Sequence, residues 1–130
     1  MNDANMTVLI ADNCPIYSAD LGEWLTKEGV VSLVAHCAGA AHDHIKSHPE
    51  IDFFFVELFL GDSNGLMLVE EIRCMELHKQ KPIWIVTTEP KPSIFTEEAL
   101  QRDLGCNGWL TKPVKFHRLL EVLMESCALR

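Results

Sequence analysis

The sequence predicts an α/β domain in which a five-stranded parallel sheet is doubly wound, with helices on both faces. Short apolar runs alternate five times with longer amphipathic segments, which is the pattern of repeated strand–helix units. The most apolar run, 51–56, ends in Phe-Phe-Phe-Val and fits a strand that is buried on both faces. Polar residues close four of the runs, and open α/β sheets carry their chemistry at the carboxyl ends of strands. These residues are Asp12, Glu57, Thr87 and Lys112.

The first two strand–helix units have recognisable start and stop residues. Strands are predicted at 7–11 and 30–35, and helices at 15–28 and 40–47. Pro15 suits the first turn of a helix, and Gly29 suits the position just beyond a helix end. Pro49 disfavours helical geometry at the residue before it, so the second helix should stop there.

Turn residues and prolines also separate the remaining three units. Strands are predicted at 53–56, 83–86 and 109–110, and helices at 66–77, at 96–104 and after residue 113. Turn residues fill the loop 61–65, and Pro90 and Pro92 keep the stretch before the fourth helix irregular. The last helix is predicted to bury a stripe at helical spacing, namely Phe116, Leu119, Leu120, Leu123 and Cys127.

Length and charge limit the classes of function. A chain of 130 residues predicts one domain, 1–130, and its lack of a linker leads us to expect no output domain. It carries 19 acidic and 11 basic residues, a formal charge of −8. Direct nucleic-acid binding is therefore not expected, because phosphate contacts need clustered Lys and Arg. A protein partner is expected instead.

Cysteine usage and hydropathy indicate the compartment. Five scattered cysteines without a C-x-x-C pair predict reduced thiols and neither a disulfide framework nor a zinc ribbon. The N-terminus has no signal-peptide pattern, and no apolar segment reaches the length of about 20 residues that a membrane helix needs. We expect a cytoplasmic protein without membrane contact.

Four segments carry motifs at predicted strand ends. They are Val-Leu-Ile-Ala-Asp-Asn at 8–13, Glu-Leu-Phe-Leu-Gly-Asp-Ser-Asn-Gly at 57–65, Thr87, and Trp-Leu-Thr-Lys-Pro at 109–113. Each motif is weak alone, but their order and separations resemble the response-regulator receiver domains of two-component signalling over nearly the whole chain. The resemblance implies a flavodoxin-like (βα)5 fold with strand order 2-1-3-4-5.

The resemblance also implies a switch site. In the family, an aspartate at the position of Glu57 accepts a phosphoryl group, with Mg²⁺ held by oxygen ligands. The implied metal ligands here are Asp12, Asn13, Glu57 and the backbone carbonyl of Phe59. Thr87 and Lys112 would hold the phosphoryl group, Trp109 would move with Thr87, and the Lys112–Pro113 bond would be cis. The face formed by the fourth helix, fifth strand and fifth helix would then bind partners.

Two departures from the family pattern act against phosphoryl transfer. Glu57 replaces the aspartate, and its extra methylene carries the carboxylate about 1.5 Å further out. A displacement of about 1 Å can cost on the order of 100-fold in rate. Asn13 replaces the second acid of the pair, which should weaken Mg²⁺ binding, so we expect no resident cofactor and at most weakly bound Mg²⁺.

The leading hypothesis is a pseudo-receiver, a phosphorylation-independent protein-binding module and not an enzyme. A Glu57–Lys112 contact with Thr87 nearby could hold the switch partly active. Its partner would be a histidine kinase or a downstream effector, and a homodimer through the same face is a further expectation. The alternatives are a conventional phospho-accepting response regulator, a structural dimerisation module and a small flavodoxin-like enzyme. No phosphate-cradling glycine motif supports the enzyme.

Each candidate residue also has a purely structural interpretation. Glu57 could be a strand-end acid paired with Lys112, Asp12 could cap the first helix, and Thr87 could be an ordinary strand residue. Trp84 is predicted to lie in the core, whereas Trp109 is expected to be partly exposed. The histidines at 36, 42, 44 and 48 lack a completing ligand and are interpreted as a solvated face.

Overall fold

The computed structural model describes residues 5–128, so the remaining termini of the predicted domain 1–130 lie outside the described residues. Five strands alternate with the helices, and all strand pairs are parallel. The strands are β1 Thr7–Ala11, β2 Val31–Ala35, β3 Phe53–Val56, β4 Ile83–Thr87 and β5 Gly108–Thr111. Their order in the sheet is β2-β1-β3-β4-β5, as predicted.

Helices cover both faces of this sheet. They are α1 Pro15–Lys27, α2 Ala38–Ser47, α3 Gly65–Cys74, α4 Glu97–Ala99 and α5 Phe116–Ala128, and a π-helical segment Leu100–Leu104 continues α4. Pro15 occupies the first turn of α1, and Gly29 adopts a positive φ of 88° just beyond it. The bounds of α1 therefore match the local sequence signals at both of its ends.

Alternate side chains of the central strands enter two separate apolar layers. Leu9 and Phe54 pack under α2 and α3, whereas Ile10 and Phe55 pack under α1 and α5. All four are at most 2% exposed. This alternation follows from the two-residue period of a strand, and burial on both faces explains why β3 is apolar throughout.

Helix α2 begins at Ala38, two residues before its predicted start, and two other predicted helices differ more. Helix α3 ends at Cys74, three residues before the predicted end, because Met75 turns to extended geometry and turn residues follow. The predicted helix at 96–104 is a short α-helix followed by the π-helix, which ends where Gly105 takes a φ of 80°. The Arg73 side chain donates to the Gly105 carbonyl at 2.8 Å, a contact between distant segments that local sequence cannot indicate.

Side-chain burial shows smaller differences. Trp84 is half-buried and packs against the α1–α5 layer, so it is less enclosed than predicted. In α5, Leu119 and Leu123 are buried as predicted and Val122 joins them, while Phe116, Leu120 and Cys127 are only partly buried. Among the described residues, no helix is long and apolar enough to cross a membrane.

Candidate functional site

The register of the sheet brings the predicted site residues to one edge. Ala11 lies beside Val56 at the ends of β1 and β3, so Asp12 and Glu57 follow at the same level. Thr87 lies beside Thr111 at the ends of β4 and β5, and Lys112 follows directly. The Lys112 amide donates to the Thr87 carbonyl at 2.6 Å. The four polar residues therefore lie at the same edge of the sheet.

Lys112 lies between two carboxylates. Its Nζ contacts Asp12 Oδ2 at 2.8 Å and Glu57 Oε1 at 3.0 Å. The side chains are 14% exposed for Lys112, 4% for Asp12 and 7% for Glu57, so solvent screens these contacts little. Burial alone would lower the pKa of Lys112, but hydrogen bonds and charge from Asp12 and Glu57 outweigh it and raise the pKa above its usual value. The lysine is therefore charged at neutral pH.

Backbone amides bind the other oxygen of each carboxylate. Glu57 Oε2 accepts from the Leu58 amide at 2.8 Å, and Asp12 Oδ1 accepts from the Cys14 amide at 2.9 Å. Cys14 is the N-cap residue of α1, and its own side chain makes no capping bond. Asp12 thus both binds the amide before α1 and pairs with Lys112.

Thr87 is fully buried, yet its hydroxyl has no hydrogen-bond partner within residues 5–128. An unpaired buried hydroxyl is costly in a folded protein. On the neighbouring strand β5, Trp109 is half-buried and donates its indole N–H to the Glu89 carbonyl at 2.9 Å. The Lys112–Pro113 peptide bond is cis, as the resemblance implied.

The other two implied metal ligands, Asn13 and Phe59, lie outside the hydrogen bonds that the side chains of Asp12, Glu57 and Lys112 make. Asn13 is exposed and takes no part in the hydrogen bonds that join Asp12, Glu57 and Lys112. Phe59, whose carbonyl was the other implied ligand, is 54% exposed and its backbone pairs with Asn64 in an isolated bridge.

The donor set does not fit a tightly held Mg²⁺. Both carboxylates already contact an ammonium, and neither neighbour of Asp12, Ala11 or Asn13, is an acid. Within the described part of the chain, no three His, Cys, Asp or Glu side chains group so as to hold a metal ion. Mg²⁺ prefers a near-octahedral shell of oxygen ligands, with one or two carboxylates free to bind it.

Two of the four histidines pair with acids. His42 contacts Glu71 at 2.9 Å and His48 contacts Glu50 at 2.8 Å, while the His44 ring packs 5.7 Å from that of His48. These exposed contacts agree with the interpretation of a solvated face.

One site residue was missed from the sequence. Tyr17 was assigned only to the apolar face of the first helix, yet its ring centroid lies 4.2 Å from Lys112 Nζ. Burial raises the pKa of the Tyr17 phenol, and its hydroxyl is buried without a partner among the described residues. No spacing rule links a residue of the first helix to one that follows the fifth strand, so no sequence signal could have found this contact.

Comparison with known proteins identifies the family. The model of the response regulator receiver domain matches residues 8–124. The chain is 25% identical to the TorCAD operon transcriptional regulatory protein TorR of Escherichia coli K12 over 114 residues, covering 87% of this chain and 46% of TorR. It is 26% identical to the osmosensing histidine protein kinase SLN1 of Saccharomyces cerevisiae over 132 residues, covering 98% of this chain and 10% of SLN1. The chain thus spans less than half the length of either relative.

Solved structures agree with the fold. The chemotaxis response regulator CheY4 of Vibrio cholerae superposes with a TM-score of 0.83 at 22% identity, covering 95% of this chain and 99% of that chain. A CheY-like receiver domain from Methanospirillum hungatei also gives 0.83, at 21% identity, covering 96% of this chain and 95% of that chain. This chain belongs to the response regulator receiver domain family of two-component signalling.

Proposed function

We propose that this chain is a pseudo-receiver, a signalling module that binds a protein partner without phosphorylation of an aspartate. The Glu57–Lys112 contact of 3.0 Å is the observation that carries the proposal. The longer side chain places a carboxylate oxygen against the ammonium that the family uses for a phosphoryl oxygen. A charge-assisted hydrogen bond between buried groups is stronger than an exposed ion pair, so this contact can hold one conformation.

The module works without a resident metal or cofactor in this proposal. The ammonium of Lys112 balances the two carboxylates, and the donor set lacks a further acid. The proposed location is the cytoplasm, where histidine kinases and their effectors meet.

The proposed partner is a histidine kinase or a downstream effector that binds the face formed by α4, β5 and α5. Large apolar side chains are exposed on or next to these elements: Ile94, just before α4, is 81% exposed, and Met124 on α5 is 51% exposed. Trp109 on β5 is half-buried. The net charge of −8 argues against direct binding of nucleic acid, and the same face could also form a homodimer.

Phosphoryl transfer is the direct test of this proposal. The protein is incubated with acetyl phosphate and Mg²⁺, and its intact mass is measured. We expect no phosphoryl adduct, whereas a conventional receiver domain treated in parallel should gain one. Stoichiometric phosphorylation that maps to Glu57 or Asp12 would overturn the proposal.

The Glu57→Asp variant is the matched control because it keeps the charge and removes only the extra methylene. If the length of Glu57 is the main obstacle, this variant should gain an adduct that the natural chain does not. The double variant Asn13→Asp/Glu57→Asp tests whether the second acid is also needed.

A conventional phospho-accepting regulator is the second candidate, and one observation favours it. The buried Thr87 hydroxyl has no hydrogen-bond partner in the described chain, as expected for a group that binds a phosphoryl oxygen only after phosphorylation. Sedimentation velocity with and without beryllofluoride separates the two candidates. A change in association on adding beryllofluoride indicates a live switch, and an unchanged profile indicates a constitutive module.

A further inference from the structure

The Lys112 ammonium is enclosed on three sides. Two of its three N–H donors point to carboxylates, Asp12 at 2.8 Å and Glu57 at 3.0 Å. The ring of Tyr17 covers a third side, with 4.2 Å between its centroid and Nζ. This distance lies well within the range of a cation–π contact, which is strongest where water is excluded.

Several contacts hold the Tyr17 ring in place. It packs edge-on against Phe116 of α5, with ring centroids 5.8 Å apart. At the start of α1, Ser18 Oγ donates to the Cys14 carbonyl at 2.8 Å. The ring is therefore fixed by both helices on this face of the sheet, and it does not rest on Lys112 alone.

The ring of Tyr17, and not its hydroxyl, makes the contact. The hydroxyl is buried and has no hydrogen-bond partner within the described residues. A residue chosen for its hydroxyl would direct that group to an acceptor, because an unpaired buried hydroxyl destabilises the fold.

We propose that Tyr17 is a positioning residue that fixes the Lys112 ammonium on Asp12 and Glu57, so that the site takes its resting conformation without a divalent cation. A divalent cation would have to displace an ammonium that two carboxylates and an aromatic face hold together. This inference rests on the proposed function, since it explains how a receiver site stays in one conformation without metal and phosphate.

Nuclear magnetic resonance of the Lys112 ε-methylene tests the contact directly. A ring that covers the ammonium shifts these proton signals upfield relative to those of the exposed lysines. Tyr17→Phe should keep the shift because it keeps the ring, and Tyr17→Leu should abolish it. Trp24→Leu is the matched control. Trp24 lies on the same helix, and its ring packs 5.9 Å from that of Phe116, whereas the ring over Lys112 is that of Tyr17, so this variant should keep the shift.

Titration with Mg²⁺, followed through the same resonances, tests the consequence. Loss of a buried cation–π contact corresponds to about tenfold in an equilibrium constant, so Tyr17→Leu should bind Mg²⁺ about tenfold more tightly than the natural chain. Tyr17→Phe and Trp24→Leu should bind it as the natural chain does.

An unshifted Lys112 signal in the natural chain would overturn the inference, as would equal Mg²⁺ affinity in a folded Tyr17→Leu variant. If Tyr17→Leu does not fold, two measurements still test the contact: the Lys112 shift in the natural chain and its retention in Tyr17→Phe. Phosphorylation of Glu57 by acetyl phosphate would instead overturn the proposed function and leave the measured contact unaffected, so the two failures are distinguishable.

Discussion

Glu57 and Thr87 end neighbouring strands of the sheet, but their polar groups differ in how they are satisfied. Both Glu57 oxygens accept hydrogen bonds, one from Lys112 and one from the Leu58 amide. The Thr87 hydroxyl is equally buried and, within residues 5–128, has no partner. The buried carboxylate of Glu57 is therefore fully hydrogen-bonded, whereas the Thr87 hydroxyl lowers the stability of the resting state because it is buried without a partner.

The Thr87→Val variant removes that hydroxyl and keeps the branched shape of the side chain. We expect it to raise the free energy of unfolding by about 1 kcal/mol, because an unpaired buried hydroxyl is lost. Urea denaturation measures the change. Thr87→Ser is the control, since it keeps the hydroxyl and loses a methyl group, and it should lower stability by about 1 kcal/mol. A clear loss of stability in Thr87→Val would show that the hydroxyl has a partner in solution.

His78 is another buried polar residue, at the opposite end of the sheet. It is 2% exposed, its Nε2 lies 3.0 Å from the Ile45 carbonyl, and its Nδ1 lies 3.1 Å from Lys81 Nζ. Burial lowers the pKa of His78, the hydrogen bond to Ile45 partly opposes this, and the charge of Lys81 adds to the lowering. The folded state therefore favours neutral His78, with Nε2 donating and Nδ1 accepting.

Stability should depend on pH through His78. The unfolded chain binds a proton at His78 more readily than the folded chain does, so stability rises with pH in this range. The contribution is complete above the ordinary histidine pKa of about 6.5 and is lost as the pH falls from there toward the lowered folded value. As the pH is lowered from about 7.5 to about 5, the denaturation midpoint should fall less in His78→Gln than in the natural chain. His117→Gln, at a side chain that is 76% exposed, should keep the natural pH dependence.

At the scale of elements, helix α3 begins almost in contact with the strand end that carries Glu57. A Cβ added at Gly65 would lie 2.1 Å from the Glu57 carbonyl oxygen, which is a backbone atom and cannot move aside easily. The Gly65 amide also donates to the Leu58 carbonyl at 2.7 Å. The turn after Glu57 is therefore closed only because residue 65 lacks a side chain.

Gly65→Ala should lower the free energy of unfolding by about 2 kcal/mol, since the strand end must shift to relieve the overlap. The same shift should move the Glu57 carboxylate, seen as altered Lys112 ε-methylene resonances. Gly39→Ala in α2 is the matched control. Its added Cβ would lie an ordinary 3.6 Å from Asp62 Oδ2, so stability should stay the same or rise slightly. Equal effects of the two substitutions would contradict the argument.

The π-helical segment Leu100–Leu104 lies next to α4, on the face proposed to bind a partner, and its end is held by Arg73. Arg73 of α3 donates to the carbonyls of Gly105, Lys79 and Lys81, and also to Asn107 Oδ1. Burial lowers the pKa of Arg73, and these carbonyl groups, not an acid, satisfy its guanidinium. The end of the helical segment is thus fixed to α3. A rearrangement of this face must therefore keep or break the hydrogen bonds that Arg73 makes.

At the scale of the whole molecule, the two apolar layers share one sheet. Trp24 and Trp84 pack against the layer under α1 and α5, whereas Trp109 packs against the layer under α2 and α3. Neither layer can lose its strands without exposing the other. We therefore expect a single cooperative unfolding transition.

Single-tryptophan variants test this expectation. A variant that keeps only Trp109 and a variant that keeps only Trp84, with phenylalanine at the other tryptophan positions, report on opposite layers. In each variant, the fluorescence transition in urea should coincide with the far-ultraviolet circular dichroism of the same protein. Separate midpoints within one variant would indicate that one layer unfolds before the other.

Local sequence was sufficient for most of the architecture. The run 53–56 and its neighbours predicted five parallel strands, and the prolines and glycines at 15, 29 and 49 placed helix ends close to where they lie. The polar residues at four strand ends indicated the position of the site, because parallel strands bring their carboxyl ends to one edge. These features depend on periodicity and turn chemistry, which are properties of short segments.

The tertiary structure alone decided how those residues meet. It joined Lys112 to both Asp12 and Glu57, left Asn13 exposed, placed Tyr17 over the ammonium and ended α4 in a π-helix beside Arg73. Each of these depends on side-chain packing between segments that are far apart in the chain, and neither hydrophobic period nor residue spacing contains that information. The sequence by itself determined the sheet and the edge at which the site lies, and three-dimensional packing determined which charges and rings contact one another there.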